Sequence, residues 1–323
     1  MKLHIRHIVF ICLGFLVVAC SDNADKQAPK KPYVADFDRE NAIRVLEHLS
    51  SDDMAGRQTG TEGNAKARAY IIEQLKSYGV GPVGDSFDHI FEFTRRQQDN
   101  SETRMTGVNI LAKLEGSKPE SDRKMIVASA HYDHVGVRGD EIFNGADDNA
   151  SGVTGLFAVI EHFLKHPPEN DIVFAFFDAE EMGLQGARAL VSSNEALGSK
   201  PDFNINFDML SRSDKNELYA AGSFHTPQLK PLLTKIGEQA PVKLMLGHDD
   251  PALGNDDWTL QSDHGPFHRE GIPFLYFGVE DHPHYHRPSD EFETVPQDFF
   301  LRSIDTVVLA SQLIDQSINE ILE

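Results

Sequence analysis

Lys124-Met125-Ile126-Val127-Ala128-Ser129-Ala130-His131-Tyr132-Asp133 decides the fold. From Lys124 to Ala130 the run is short and apolar with no strict alternation, as expected of a strand buried on both faces of a sheet. It ends at an imidazole and a carboxylate. Beyond a glycine-rich loop at 135–145, Ser151 to His166 reads as a helix stopped by Pro167-Pro168. Asp171 to Phe177 is a second buried strand, and it runs into Asp178-Ala179-Glu180-Glu181. Strand, helix and strand in this order form a βαβ unit, which covers a parallel sheet with helices.

The same grammar extends in both directions. Upstream, Asp38 to Ser51 and Ala65 to Tyr78 read as helices, with Thr61 or Asn64 as cap of the second and Gly79 as its stop. Ser51 to Gly63 is a polar, glycine-rich loop. Ser86 to Phe93 and Val108 to Leu114 are extended. Downstream, strands are expected at Phe203–Phe207, Glu217–Ala221 and Ile272–Phe277. Helices are expected at Leu184–Ser193, Gln228–Ala240 and Asp298–Leu322. The fold class is therefore α/β: a single domain with a central mixed, mostly parallel β-sheet sandwiched by helices.

The chain has 323 residues, 40% of them hydrophobic, enough for one large core. Its formal net charge is −21, from 51 acidic and 30 basic residues. That balance argues against a nucleic-acid partner, which requires clustered Lys and Arg. Cys12 and Cys20, the only cysteines, lie in the first twenty residues. Lys2 and Arg6 precede an apolar run, Ile8 to Ala19, that is too short for a comfortable membrane span. The run closes as Leu16-Val17-Val18-Ala19-Cys20, which resembles a bacterial lipoprotein cleavage box. The resemblance implies a signal peptide over 1–19 and lipidation of Cys20 as the membrane contact. The protein is then exported and lipid-anchored on the periplasmic side, with the outer membrane favoured by Ser21. Residues 20–37 read as a flexible tether and 38–323 as the folded domain.

Chemistry-bearing residues fall just past the ends of buried strands: His131, Glu180 with Glu181, and Asp208. Ligand sites of open α/β sheets lie at that edge. Asp147 and Asp148 sit on the loop entering the helix after His131. A later loop carries His282, His284, His286 and Asp290. Imidazole and carboxylate without thiolate suit Zn²⁺. Two ions about 3.5–4 Å apart need about five or six ligands with one carboxylate between them. Paired glutamates allow one to bind metal while its neighbour acts as base.

These motifs, in this order, resemble the M28 metallopeptidases, the dizinc aminopeptidases. The matching elements are His131-Tyr132-Asp133, Asp148 in Gly-Ala-Asp-Asp-Asn-Ala-Ser-Gly, Glu180-Glu181, Asp208, and His286 followed by Asp290. Ser51–Gly63 and Ser262-Asp263-His264 also look like stretches common there. The resemblance covers about residues 38–320 and implies a zinc-exopeptidase-like fold. It implies two Zn²⁺ per chain, one held by His131 and Asp208, the other by Glu181 and His286, with Asp148 between them. Asp133 is then expected to orient His131, and Glu180 to be the general base on the water that bridges the metals. The peptide bond between Asp148 and Asn149 is expected to be cis. Of the neighbouring candidates, Asp147 is assigned to helix capping, and the spacing to Asp290 favours His286 over His282 and His284.

The expected activity is removal of the N-terminal residue from peptides with a free N-terminus. Two alternatives stand beside it: a glutaminyl cyclase-like enzyme with a single zinc, and a lipid-anchored, non-catalytic binding homologue. A serine hydrolase is disfavoured because Gly-x-Ser-x-Gly does not occur, and a helical zincin because His-Glu-x-x-His does not. Asp249, Asp250, Asp256 and Asp257 are expected in a solvated loop, without EF-hand spacing. Trp258 is left between lining a substrate pocket and simple packing.

Overall fold

The computed structural model describes residues 31–96, 101–192 and 195–323. The expected signal peptide and lipidated Cys20 lie outside the described residues. Among the described residues no helix is long and apolar enough to cross a membrane.

Eleven strands are described: β1 (Gly81–Pro82), β2 (Asp88–Arg96), β3 (Glu102–Leu114), β4 (Met125–His131), β5 (Gly136–Arg138), β6 (Glu141–Phe143), β7 (Asp171–Phe177), β8 (Phe203–Phe207), β9 (Glu217–Ala221), β10 (Lys243–Leu246) and β11 (Phe274–Gly278). The α-helices are α1 (Arg39–Leu49), α2 (Glu62–Ser77), α3 (Gly152–Lys165), α4 (Gln185–Val191), α5 (Leu229–Gly237), α6 (His264–Arg269) and α7 (Gln297–Leu322). Nine strands form one sheet in the order β1-β3-β7-β4-β8-β11-β9-β10, with β2 also paired to β3. Its centre, β7-β4-β8-β11, is parallel. Antiparallel pairing is confined to the flanks, where β3 meets β7, β1 and β2, and β11 meets β9.

Alternation along the central strands divides the core into two layers. Ile126, Ala128, Ile172, Phe174, Phe176, Ile205 and Phe207 point to the face covered by α1, α2, α3, α5 and α7. Val127, Val173, Ala175 and Phe177 point to the face covered by α4 and α6. Helix α3 is apolar nearly all round and buried over most of its length, which explains its lack of a polar stripe. Thr61 caps α2 by accepting the Asn64 N–H, so that helix starts at Glu62, ahead of the expected Ala65.

The packed chain begins before the expected boundary at 38. Ala35 and Phe37 are buried, the Tyr33 N–H donates to the Gln239 carbonyl at 2.8 Å, and the Ala35 N–H donates to Asp305 at 2.9 Å. The last residues of the expected tether are thus seated on the domain. The sequence there alternates short apolar and polar residues, too briefly for periodicity to register.

Candidate metal centre

The parallel strands β4, β7, β8 and β11 all end at the same edge. His131 is the last residue of β4, Glu180 and Glu181 occupy the turn after β7, Asp208 follows β8, and the loop after β11 brings His286 back over them. His131 Nε2 lies 3.3 Å from Asp148 Oδ1 and 3.3 Å from Asp208 Oδ1. His286 Nε2 lies 3.0 Å from Asp148 Oδ2 and 3.4 Å from Glu181 Oε1. Asp148 therefore stands between two donor groups, one containing His131 and Asp208, the other Glu181 and His286.

Charges in the cluster are strongly interdependent. Burial opposes ionisation of Asp148, yet the imidazoles of His134, His131 and His286 hold its carboxyl well below the usual range. Glu181 is likewise held down to about 2: burial and Asp148 oppose its charge, and His134 and His286 outweigh them. Burial disfavours the His286 cation, but Asp148 and Glu181 raise it to about 10. Glu180 is different. Burial pushes its carboxyl well up, and Asp263, Asp208 and Glu181 add to this against the pull of His131.

Several backbone features around the cluster are uncommon. The Asp148–Asn149 peptide bond is cis. Ala179, Leu184, Met209 and His286 all have positive φ, a left-handed conformation that is uncommon for residues with a Cβ. Buried Arg57 sits beneath the loops. Its guanidinium donates to the carbonyls of Tyr132 (2.9 Å), Leu49 (2.5 Å), Asn144 (2.5 Å) and Gly145 (3.0 Å). It arrives from a turn at Gly56 that excludes a side chain, since a Cβ there would lie 2.4 Å from the Phe143 carbonyl oxygen. Burial lowers the Arg57 pKa only to about 10, so it stays charged beneath an acidic site.

The structure redistributes some expected duties. The Asp133 carboxylate accepts the N–H of Glu180 at 3.0 Å and of Glu181 at 3.4 Å. His131 Nδ1 lies 3.1 Å from the Asp133 carbonyl oxygen and 3.7 Å from its carboxylate. Asp133 thus contacts His131 mainly through its backbone and positions the Glu180-Glu181 turn through its side chain. Asp147 does not cap α3. Its carboxylate accepts the Ser211 N–H and hydroxyl at 2.7 and 2.8 Å and meets His282 Nε2 at 2.8 Å. Asn149 takes the capping role instead, accepting the Gly152 N–H at 2.9 Å. Asp290 accepts the N–H groups of Asp147 and Asp148. His284 pairs with Ser289, which leaves His286 as the member of its loop that enters the cluster.

Three nearby residues carry no role in the sequence reading. His134 is buried with Nδ1 2.7 Å from Glu181 Oε1 and 3.6 Å from Asp148 Oδ2. Neither atom of the 2.7 Å contact has hydrogen-bond alignment, as when donors aim past one another at a common point. A buried carboxylate oxygen and a buried imidazole left in this state suit a divalent cation, and so does the His, Asp and Glu donor set. Ser262 donates to Asp208 Oδ2 at 2.7 Å, and buried Asp263 has neither carboxylate oxygen hydrogen-bonded. Position was the available signal: His134 directly follows His131-Tyr132-Asp133, and Asp263 lies between Ser262 and His264. The acidic loop is not simply solvated, because Asp249 is buried and accepts the N–H groups of Gly222 and Phe224. Trp258 stacks on His248 at 3.7 Å and also lines a recess beside Asp208.

A parallel sheet ending in this donor set is the framework of a metal-dependent hydrolase. Residues 109–311 match peptidase family M28, and the chain belongs to that family of zinc peptidases. It is 28% identical over 221 residues to the aminopeptidase YwaD of Bacillus subtilis, covering 64% of this chain and 45% of that protein. It is 27% identical over 231 residues to a vacuolar membrane protease of Schizosaccharomyces pombe, covering 69% of this chain and 25% of that protein. The matched segments thus span from a quarter to just under half of these relatives. A zinc aminopeptidase structure from Bacillus subtilis superposes with a TM-score of 0.65 at 17% identity, covering 85% of this chain and 95% of that one. A glutaminyl cyclase from Porphyromonas gingivalis superposes with a TM-score of 0.63 at 19% identity, covering 85% and 99%. At these identities the two structures share the fold with this chain.

Proposed function

We propose that this protein is an exported, lipid-anchored aminopeptidase that uses two zinc ions to release the N-terminal residue of peptides. The placement of Asp148 carries this reading. Its two oxygens face different imidazoles, Oδ1 toward His131 and Oδ2 toward His286. One carboxylate is thereby offered to two cations, the first with His131 and Asp208, the second with Glu181 and His286. Zinc in such positions lowers the pKa of a water and polarises a carbonyl.

The chain's own residues do the rest. Glu180 lines the cavity above the cluster. With cations in the cluster offsetting the burial and the carboxylates that push its carboxyl up, Glu180 is ionised, takes a proton from the attacking water and passes it to the leaving amine. Asp133 holds the Glu180-Glu181 turn from behind. Tyr285, stacked on His286 at 3.9 Å, presents a phenol to the same cavity as a hydrogen-bond donor. The carboxylates of Glu180 and Asp208 on the wall favour a protonated N-terminal amine. The side chain of the first residue enters the recess of about 50 Å³ lined by Met209, Trp258, Tyr276 and Val279.

The test is a panel of aminoacyl-p-nitroanilides and peptides with free or acetylated N-termini, assayed before and after chelation and zinc addition. Hydrolysis confined to free N-termini, lost on chelation and restored by zinc, is expected. Equal cleavage of acetylated peptides would refute an aminopeptidase. A cyclase is the second reading, favoured by the similar fold likeness to the Porphyromonas gingivalis enzyme. One zinc per chain with cyclisation of N-terminal Gln would establish it. Anchoring is tested separately: labelled palmitate should enter the native protein and not Cys20→Ala.

A further inference from the structure

The cavity above the cluster has a volume of about 390 Å³ and joins the recess of about 50 Å³ along Asp208, Met209, Gln261 and Tyr285. The recess ends against Tyr276 and His264, both buried, and has room for one side chain. The part of a peptide beyond the scissile bond has no fixed length and needs the side that opens to solvent. That side is the larger cavity, whose rim carries exposed Leu260 and Arg188.

Among the described residues Arg188 is the only Lys or Arg on this wall, which also bears Asp148, Glu180, Glu181 and Asp208. It lies in α4, and its Nε–H donates to the Gly183 carbonyl at 3.0 Å. That bond fixes the guanidinium beside the Glu180-Glu181 turn. Its two terminal nitrogens have no hydrogen-bond or ion-pair partner among the described residues. Arg188 shares the cavity with Asp148, Glu180, Glu181 and Asp208, yet no carboxylate among the described residues pairs with it, in a chain with 51 acidic and 30 basic residues. A guanidinium anchored at Nε keeps a fork of N–H groups suited to a carboxylate.

Given the aminopeptidase reading, on which this rests, we infer that Arg188 recognises a carboxylate on the residue that follows the scissile bond. That carboxylate is an Asp or Glu side chain in a longer peptide, or the terminal carboxylate of a dipeptide. An ammonium or a basic side chain at that place meets repulsion from Arg188, so the same residue discriminates against Lys and Arg there.

The test measures binding apart from turnover, by calorimetry on zinc-loaded Glu180→Gln protein with and without Arg188→Gln. The ligands are Leu-Glu-amide against Leu-Gln-amide, and Leu-Ala against Leu-Ala-amide. With Arg188 present, the carboxylate member of at least one pair should bind about three- to tenfold tighter, as for a partly exposed charge pair. The pair that shows the preference identifies the source of the carboxylate. The preference should shrink in high salt and vanish in Arg188→Gln, while Arg188→Lys keeps part of it. Equal affinities within both pairs, or a preference that survives Arg188→Gln, overturns the assignment. Turnover of the same peptides by the native protein is read in parallel. A binding preference without hydrolysis counts against the aminopeptidase reading and leaves Arg188 as the carboxylate-binding residue.

Discussion

The carboxylate of Asp133 accepts the backbone N–H of Glu180 at 3.0 Å, and so couples the end of β4 to the turn after β7. The side chain proposed as base is therefore aimed by a residue 47 positions earlier in the chain. Replacing Asp133 with Ala removes the acceptor for the Glu180 and Glu181 N–H groups. Loss of such a supporting contact costs about 10–100-fold in activity or metal affinity. Steady-state kinetics with zinc analysis should show a fall in kcat of that size with most of the zinc retained. An unchanged kcat would remove Asp133 from the account.

His134 and His286 both approach Glu181, at 2.7 and 3.4 Å. His286 also reaches Asp148 at 3.0 Å, against 3.6 Å for His134. His286→Ala should therefore lose one zinc per chain, whereas His134→Ala should keep both and bind one of them more weakly. Metal analysis after dialysis checks this, and the reverse pattern would exchange the two roles.

Metal uptake should release protons. Without metal, Asp148 and Glu181 raise His286 to about 10, and Asp208 and Glu180 raise His131 against its burial. His286 is then cationic at pH 7 and the cation of His131 is favoured too, but a ligand imidazole must be neutral. Zinc affinity accordingly rises with pH through neutrality and up to about 10, where His286 loses its proton without metal. Calorimetry in buffers of different ionisation enthalpy reads the protons released. A heat of binding independent of buffer would contradict this electrostatic picture.

Arg57 serves four backbone carbonyls from a fully buried position. Arg57→Met strands them. At about 1–3 kcal/mol for each unsatisfied buried group, even partial rehydration leaves a loss of at least about 3 kcal/mol. Thermal melting should show a Tm at least about 6 °C lower, at about 2 °C per kcal/mol for a domain somewhat smaller than this one. A smaller fall would mean that water replaces the guanidinium.

Buried strands were the most legible part of the sequence. Asp171–Phe177, Phe203–Phe207 and Glu217–Ala221 have the expected bounds because each is flanked by a turn-forming Asn, Asp or Gly. β3 starts at Glu102, six residues before the expected Val108, because Glu102-Thr103-Arg104-Met105-Thr106 is a largely exposed hairpin arm with no apolar run. β10 is a short edge strand, exposed or half-buried throughout, and went unread. α6 contains Gly265-Pro266, which disguised a helix.

At the site, residues that bear charge just past strand ends were readable, since the parallel topology sends strand ends to one edge. What escaped depends on loop geometry. The carboxylate of Asp147 reaches Ser211 and His282 from positions far away in sequence. Arg57 lay in a segment that reads as an ordinary polar loop, and burial of a guanidinium by four carbonyls has no local signature.

The central claim is that Glu180 moves the proton while its neighbours hold metal, and Glu180→Gln tests it most directly. The variant should retain two zinc ions per chain and hydrolyse a peptide with a free N-terminus at least about 10²-fold more slowly. Full turnover with the same zinc content would contradict the account.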